Sequence, residues 1–332
     1  MKKQISLDKV RIIAAFMIVA IHIYPFSFIS QSLDYAITRI LFRIALPIFL
    51  MITGYFVLPL AKENNTSLKK YTKKILQIYF FSILIYLPIN IYIGTFETQN
   101  LLSILKAVFV TGTMYHLWYF PALILGLWIT YFLIKHLKNP SYTIIFLYII
   151  GLFGDSYFGL IENFPILNTF YQIIFSIFDY SRNGFFYVPI FLYIGYHTNT
   201  KKSQTNFKQT VNFCILYLLL MLIEGIILFG FKIPRHTSMY FFLIPFSYNL
   251  FTILIENRGD SNKFLRTLGT LIYILHPASI IFVHKCANLT KFALLNNSLI
   301  NYTIVLLVTT AISYIIIKLK EYFKHEKSKY NE

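Results

Sequence analysis

An arginine and a histidine in the first apolar segment are the residues of this chain best placed to do chemistry. Arg11 and His22 are eleven residues apart. At about 100° a residue this spacing is within about 20° of three full helical turns, so both side chains project from one face of a helix, about 16 Å apart along its axis. Ionisable side chains inside a membrane are costly and usually functional. The pair therefore predicts a path across much of a bilayer.

The two side chains suit different parts of one reaction. An ordinary imidazole titrates near neutral pH, so His22 is suited to remove a proton from a hydroxyl group. The planar guanidinium of Arg11 suits a phosphate-bearing ligand that arrives from the cytosol. Two alternatives stay open: His22 as a histidine hydrogen-bonded between helices, and Arg11 as a snorkelling residue at the membrane border.

Later apolar segments are interrupted by residues that predict a pocket. Thr53 and Tyr55 flank a glycine in the second segment, a texture that indicates close helix packing or a pocket wall. His276 precedes a proline in the ninth, which predicts a break in the helix that lines a cavity. Glu224 lies well inside the seventh and could pair with a histidine or an arginine, either for function or as a structural ion pair.

Three more pocket candidates lie near the predicted outer surface. Arg43 lies near the start of the second segment, and His116 and Trp118 lie where the fourth enters the membrane. An aromatic belt at the membrane interface explains the tryptophan but not the histidine.

The composition indicates that these residues are positioned by membrane-spanning helices. Of 332 residues, 57% are hydrophobic and 13% charged, and the mean hydropathy is +0.62, too apolar for an ordinary soluble domain. A span needs about 20 apolar residues. By this length we predict an all-α polytopic protein with about ten spans, near residues 10–30, 39–59, 75–94, 117–135, 141–154, 184–199, 209–230, 237–256, 268–287 and 299–319.

The distribution of positive charge supports this topology. The net charge of +17 could indicate a nucleic-acid partner. However, 22 of the 30 basic residues fall on one side if the N-terminus is cytoplasmic, which is the positive-inside pattern. We therefore predict a multi-pass protein of a bacterial-type cell membrane, in contact with membrane lipids and with no nucleic-acid partner, whose two termini are cytoplasmic. Residues 1–320 form the transmembrane domain and 321–332 a short charged tail.

The predicted outer loops are longer than the inner ones and offer the recognition surface. The loop over 95–116 contains a short predicted helix at 101–109. The loop over 154–184 contains an apolar run at 166–178, which is either a re-entrant or interfacial helix or an ordinary loop resting on the bilayer.

Three ordered motifs resemble acyltransferase family 3, a family of integral membrane proteins. Its first-helix pattern, Leu-Asp-x-x-Arg with a histidine eleven residues later, is matched from Leu7 through Arg11 to His22. Its second-helix Phe-x-x-Ser-Gly-Tyr pattern appears over 50–55, and its late Ile-Tyr-x-x-His-Pro pattern over 272–277.

The resemblance implies transfer of an acyl group, usually acetyl, from cytosolic acyl-CoA to a hydroxyl of a cell-wall or polysaccharide acceptor, without a metal. His22 would then be the general base, and Arg11 would help to bind the phosphates of the donor. Many polysaccharide-modifying members have arginines before the third helix. Here the matching stretch offers Lys70, Lys73 and Lys74, which attract phosphate without bidentate geometry.

A closer resemblance is to the membrane half of the vancomycin-resistance serine racemases. Segments over 115–119, 151–157, 179–184 and 235–240 are similar to that subgroup. Because the sequence ends at Glu332, we expect no racemase activity from it. The subgroup implies an alternative function, a transporter for a small amino acid such as serine, although no repeat with paired broken helices is visible. A partner subunit that has lost activity is a third reading.

Overall fold

The computed structural model describes residues 7–95, 99–200, 206–256, 259–290 and 293–329. Within these ranges the chain is helical, and it divides into two compact units, Met1–Ala45 with Leu254–Glu332 and Leu46–Ile253. The α-helices are α1 Leu7–Ile23, α2 Gln31–Asp34, α3 Ala45–Glu63, α4 Thr66–Tyr92, α5 Leu101–Lys106, α6 Tyr119–His136, α7 Pro140–Phe153, α8 Pro165–Phe178, α9 Val188–Thr200, α10 Phe207–Gly230, α11 Leu243–Glu256, α12 Lys263–Thr290 and α13 Ser298–Lys329.

Helix lengths confirm the polytopic all-α class. In the described ranges, six helices are long and apolar enough to cross a membrane: Gln31–Glu63, Thr66–Tyr92, Tyr119–His136, Phe207–Gly230, Lys263–Leu289 and Ser298–Lys324. The other four predicted spans correspond to α1, α7, α9 and α11, which have 17, 14, 13 and 14 residues. Ten crossings and cytoplasmic termini stay predictions. Of the basic residues counted for topology, Lys2, Lys3, Lys201, Lys202, Arg258 and Lys291 lie outside the described residues.

The first helix is shorter than the predicted segment 10–30. It ends at Ile23 because Pro25 disfavours helical backbone in the residue before it, and Tyr24 turns the chain with a φ of 58°. His22 therefore lies in the last turn of α1. The proline terminates the helix and does not bend it.

Helix directions in the first unit agree with the predicted topology. Residues at the start of α1 contact the start of α12, and His22 near the end of α1 contacts His276 further along α12, so the two helices run in the same direction. The ring of Phe264 near the start of α12 contacts Tyr314 in the middle of α13, and His284 late in α12 lies 3.2 Å from Asn301 near the start of α13. Helix α13 therefore runs back along α12. Parallel α1 and α12 require an odd number of spans between them, and the prediction has seven.

Two glycines let helices α3 and α9 cross in backbone contact. A Cβ at Gly54 would lie 2.0 Å from the carbonyl oxygen of Leu192, and one at Gly195 would lie 2.0 Å from that of Met51. Small residues permit this approach of helix backbones in membranes. The prediction of close packing around Gly54 is therefore confirmed.

The predicted outer loops of the second unit, 95–116, 154–184 and the short connection over 231–236, contact one another. Lys106 forms a salt bridge to Asp179, and the N–H of Gly159 donates to the carbonyl of Ile233 at 2.9 Å. The run at 166–178 forms helix α8, so an ordinary loop was the wrong alternative there. Its buried face, Tyr171, Ile174 and Phe175, packs in a cluster with Phe158 and Phe186, whereas Ile166 and Phe170 are among its exposed residues.

Candidate functional site

The interface of α1 and α12 brings two of the predicted histidines together. The rings of His22 and His276 are stacked with centroids 5.3 Å apart and an interplanar angle of 25°. His22 is half-buried, and His276 is fully buried. Two residues 254 positions apart thus form one imidazole pair at the end of α1. The sequence analysis names both residues as candidates but does not predict that they meet.

A proline determines the orientation of His276. The predicted break at His276-Pro277 is wrong, because α12 continues as a helix through Pro277. Proline has no N–H, so the carbonyl of Tyr273, four residues earlier, loses its helical donor. The Nδ1 atom of His276 lies 2.8 Å from that oxygen. Because a carbonyl oxygen only accepts, Nδ1 must carry a proton, and in the neutral ring Nε2 is then the acceptor.

At the other end of α1, one carboxylate joins two arginines. Asp8 accepts a hydrogen bond from Nη1 of Arg11 at 3.2 Å. It also accepts from Nε of Arg266 at 3.2 Å, from Nη2 of Arg266 at 3.3 Å and from the backbone N–H of Asn262 at 2.8 Å. Burial alone would raise the pKa of Asp8, but the hydrogen bonds from Arg266 and Asn262 and the charge of Arg11 outweigh it and hold the pKa below its ordinary value.

Arg11 and His22 lie on the face of α1 that contacts α12, as their spacing predicts. Between them on that face lie Ala14, Ala15 and Ile18, which are 0%, 0% and 5% exposed. The face is therefore polar at both ends and tightly packed between them. A ligand reaching from one end to the other has to displace or separate these contacts.

Arg43 belongs to the same unit and is buried. It lies on the 3₁₀ segment Leu41–Ile44, which follows a π-helical segment, Tyr35–Ile40, and precedes α3. Both segments contact α1. Changes of helix type within one continuous helix are common at functional sites, and this one places a buried cation beside α1.

The candidates in the second unit have separate surroundings. The hydroxyl of Thr53 lies 3.1 Å from that of Tyr71, and the ring of Tyr55 is 5.9 Å from that of Phe251. The exposed Lys70, Lys73 and Lys74 lie in the first turns of α4.

His116 and Trp118 occupy the turn that precedes α6. His116 is buried with its ring 4.9 Å from that of Tyr86, and Trp118 stacks under the guanidinium of Arg182 at 4.7 Å. Their catalytic or binding roles stay predictions.

Glu224 holds the start of another helix. Its Oε1 accepts from the hydroxyl of Tyr157 at 2.7 Å and from the N–H of Phe241 at 2.6 Å, and its Oε2 accepts from the N–H of Phe242 at 3.0 Å. Phe241 and Phe242 directly precede α11, where backbone N–H groups have no helical acceptor. The carboxylate thus serves these donors instead of the predicted histidine or arginine.

Sequence reasoning missed two members of the site at α1. The pairing of Asp8 with Arg11 is predictable from the sequence, since Asp8 lies three residues before Arg11 and shares its helix face. The pairing of Asp8 with Arg266 is not, because only the packing of α12 on α1 brings Arg266 to Asp8. No group of three metal-binding side chains occurs within the described part of the chain.

Comparison with known proteins agrees with the motifs of this face. The family described as Acyltransferase domain matches residues 4–318. The chain belongs to this family. It is also 37% identical to an amino-acid racemase of Enterococcus faecalis, over 98% of this chain and 46% of the relative. With a serine/alanine racemase of Enterococcus gallinarum it shares 36% identity, over 98% of this chain and 48% of the relative. The chain thus spans about half the length of these relatives. No solved structure matches it.

Proposed function

We propose that this protein is a membrane O-acyltransferase that moves an acyl group, usually acetyl, from cytosolic acyl-CoA to a hydroxyl of an extracytoplasmic cell-envelope acceptor. One observation carries the proposal. In a chain that belongs to an acyltransferase family, one face of α1 presents an arginine cluster at its start and an imidazole pair at its end.

His22 acts as the general base in this proposal. It removes the proton of the acceptor hydroxyl while the hydroxyl oxygen attacks the thioester carbon. The carbon–sulfur bond then breaks, the thiolate of coenzyme A leaves and takes up a proton, and the acceptor carries the new ester. The ring of His276, stacked on His22 and anchored to the carbonyl of Tyr273, restricts the imidazole to one orientation.

Arg11 and Arg266 bind the phosphates of the donor. Asp8 orients both guanidinium groups, and the 43% exposed side chain of Arg266 leaves N–H donors available to a ligand. Lys70, Lys73 and Lys74 add positive charge that attracts an anionic donor. Because Ala14 and Ala15 are buried between the arginine and histidine ends, the donor enters by parting the contacts of this face.

The test is acetyl transfer by the purified protein in lipid vesicles supplied with radiolabelled acetyl-CoA and a cell-envelope extract. We expect His22→Asn to lose at least 100-fold in transfer, the usual contribution of a general base, with its affinity for coenzyme A retained. His284→Asn is the matched control, since this exposed histidine of the same unit bonds to Asn301. Equal labelling by the two variants would contradict the assignment of His22.

The donor site has its own test. Arg11→Gln and Arg266→Gln should each weaken coenzyme A binding about tenfold, the usual effect of losing a charge-assisted hydrogen bond. The same substitutions should weaken the binding of dephospho-coenzyme A, which has one phosphate fewer, by a smaller factor. Unchanged affinity in both variants would place the donor phosphates elsewhere.

A second candidate function is transport of a small amino acid such as serine. It is favoured by the relatives, which are named amino-acid racemase and serine/alanine racemase and match 98% of this chain. Uptake of radiolabelled serine into proteoliposomes that persists in His22→Asn would favour transport over acyl transfer.

A further inference from the structure

A cluster of cationic and aromatic side chains in the second unit lies apart from the residues used above. Tyr180, which is 42% exposed, forms its centre. The guanidinium carbons of Arg182 and Arg235 lie 5.2 Å and 5.7 Å from the centroid of its ring. The ring of His236 lies 5.0 Å from the same centroid.

We propose that Arg182, Arg235 and His236, arranged around Tyr180, bind the anionic oxygen group of a water-borne ligand, a carboxylate or a phosphate. The proposal concerns binding alone and is independent of the acyltransferase proposal. By the predicted topology this ligand arrives from the outer side of the membrane.

Stacking holds both guanidinium groups in place, and the side chain of Arg235 is exposed. Arg235 lies 3.6 Å over the ring of Phe175, and Arg182 lies 4.7 Å over that of Trp118. A stacked guanidinium keeps its N–H donors in its own plane, beyond the edge of the ring. Within the described chain, exposed Arg235 uses one of its five donors on the carbonyl of Asp179 at 3.1 Å. The others are available for a bidentate contact with a carboxylate or phosphate.

A buried carboxylate holds the loop that carries Arg235 and His236. Oδ1 of Asp155 accepts from the N–H groups of Ser238 and Met239 at 2.7 Å and 3.0 Å, and its main-chain carbonyl accepts from those of Arg235 and His236. Its Oδ2 lies 3.5 Å from Nδ1 of His236. The loop is therefore ordered before any ligand arrives, which lowers the entropy lost on binding.

The charge of the cluster remains positive after its carboxylates are counted. Asp179 is paired with Lys106, and the side chain of Asp155 is 1% exposed. The two positive charges of Arg182 and Arg235 therefore exceed the one negative charge of the remaining carboxylate, Asp155. A ligand thus meets a positive surface with an aromatic floor, which attracts an anion and offers its carbon skeleton an apolar contact.

The position of Trp118 under Arg182 supplies a direct assay. The chain has two tryptophans, and Trp128→Phe leaves Trp118 as the sole reporter. We would titrate this protein in detergent with acetate and with inorganic phosphate over the millimolar range, at ionic strength kept constant with chloride. Trp118 emission should change and saturate with one anion or both, and the anion that saturates it identifies the group bound.

The decisive variant is Arg235→Gln, which should weaken that binding at least tenfold, with Arg235→Lys losing less. Its control is Lys232→Asn, which removes the same charge from the same loop and suits the left-handed φ of 54° there. Circular dichroism and a single gel-filtration peak establish that each variant is folded.

Equal weakening in Arg235→Gln and Lys232→Asn, or the same response to chloride alone, would reduce the effect to general screening and overturn the proposal. No change in Trp118 emission with either anion would also overturn the proposal. A response seen only in nanodiscs that contain phosphatidylglycerol would assign the cluster to lipid headgroups and overturn the water-borne ligand.

Discussion

Replacing Asp8 with asparagine tests whether one carboxylate organises the arginine end of the α1 face. Asp8→Asn keeps the shape of the side chain and an oxygen for the N–H of Asn262, but it removes the negative charge that three guanidinium hydrogen bonds share. Arg11 and Arg266 would then repel each other without a counter-charge.

The magnitude follows from the exposure of the partners. Hydrogen bonds to a charged group contribute about 1.5–3 kcal/mol when buried, and exposed ion pairs about 0.2–1 kcal/mol. The side chain of Arg266 is 43% exposed, so its pairing belongs near the lower range, whereas that of Arg11 is 18% exposed and that of Asp8 only 7%. We expect the free energy of unfolding to fall by about 2–3 kcal/mol, to which Arg11 contributes the larger part.

The pH dependence has a definite sign. Because the folded state holds the pKa of Asp8 below its ordinary value, the carboxylate stabilises the protein fully above the unfolded pKa of about 3.9. This stabilisation is lost as the pH falls through the lower folded pKa. The difference between wild type and Asp8→Asn should therefore be constant near pH 7 and shrink below about pH 4.

Reversible unfolding in mixed micelles, followed by tryptophan fluorescence from pH 7 to pH 3, measures both effects. Asp34→Asn is the matched control, since Asp34 is equally buried in the same unit but accepts from the N–H of Phe26 and the hydroxyl of Thr38. A double-mutant cycle of Asp8→Asn with Arg266→Gln isolates the coupling. Stability of Asp8→Asn within about 0.5 kcal/mol of wild type, or a difference that does not shrink in acid, would refute this account.

Three further predictions concern the second unit. Gly195→Ala should prevent folding or lower the unfolding temperature sharply, because its Cβ would lie 2.0 Å from the carbonyl of Met51, whereas Gly230→Ala, with open space around it, should be neutral; thermal unfolding in detergent compares them. Glu224→Ala should lower the free energy of unfolding by about 2–4 kcal/mol by leaving backbone amides before α11 without their acceptor, and an unaltered denaturation midpoint would contradict this role. Asp155→Asn should destabilise the protein at pH 7. Burial raises the pKa of Asp155, but a neighbouring imidazole and backbone amides lower it by a larger amount, so its pKa is below the ordinary value. The loss of stability in Asp155→Asn should therefore fade as the pH falls below about 3.9, which calorimetry at several pH values would check.

Local physical rules explain what could be read from the chain before its structure was known. The length and composition of the apolar segments require helices that satisfy their own backbone hydrogen bonds in a membrane. The helical period puts Arg11 and His22 on one face, and the Thr-Gly-Tyr unit predicts the contact that Gly54 makes with the backbone of α9. Motif residues alone indicate the acyltransferase family.

Pairings between distant segments were beyond such rules. The helical period cannot predict the contact between Asp8 and Arg266, which are 258 residues apart. Nor can it predict the stacking of His22 on His276. The break predicted at Pro277 was wrong because the imidazole of His276 satisfies the carbonyl that proline leaves free.

The sequence by itself determined the membrane class, the helices and the shared face of Arg11 and His22, because these depend on hydrophobicity and on a period of 3.6 residues. Only the tertiary structure decided which second helix completes that face, that Glu224 caps a helix start, and that Tyr180 gathers two arginines and a histidine. The physical reason is that buried charges and polar groups must find partners, and which partner lies within reach depends on how helices far apart in the chain pack together.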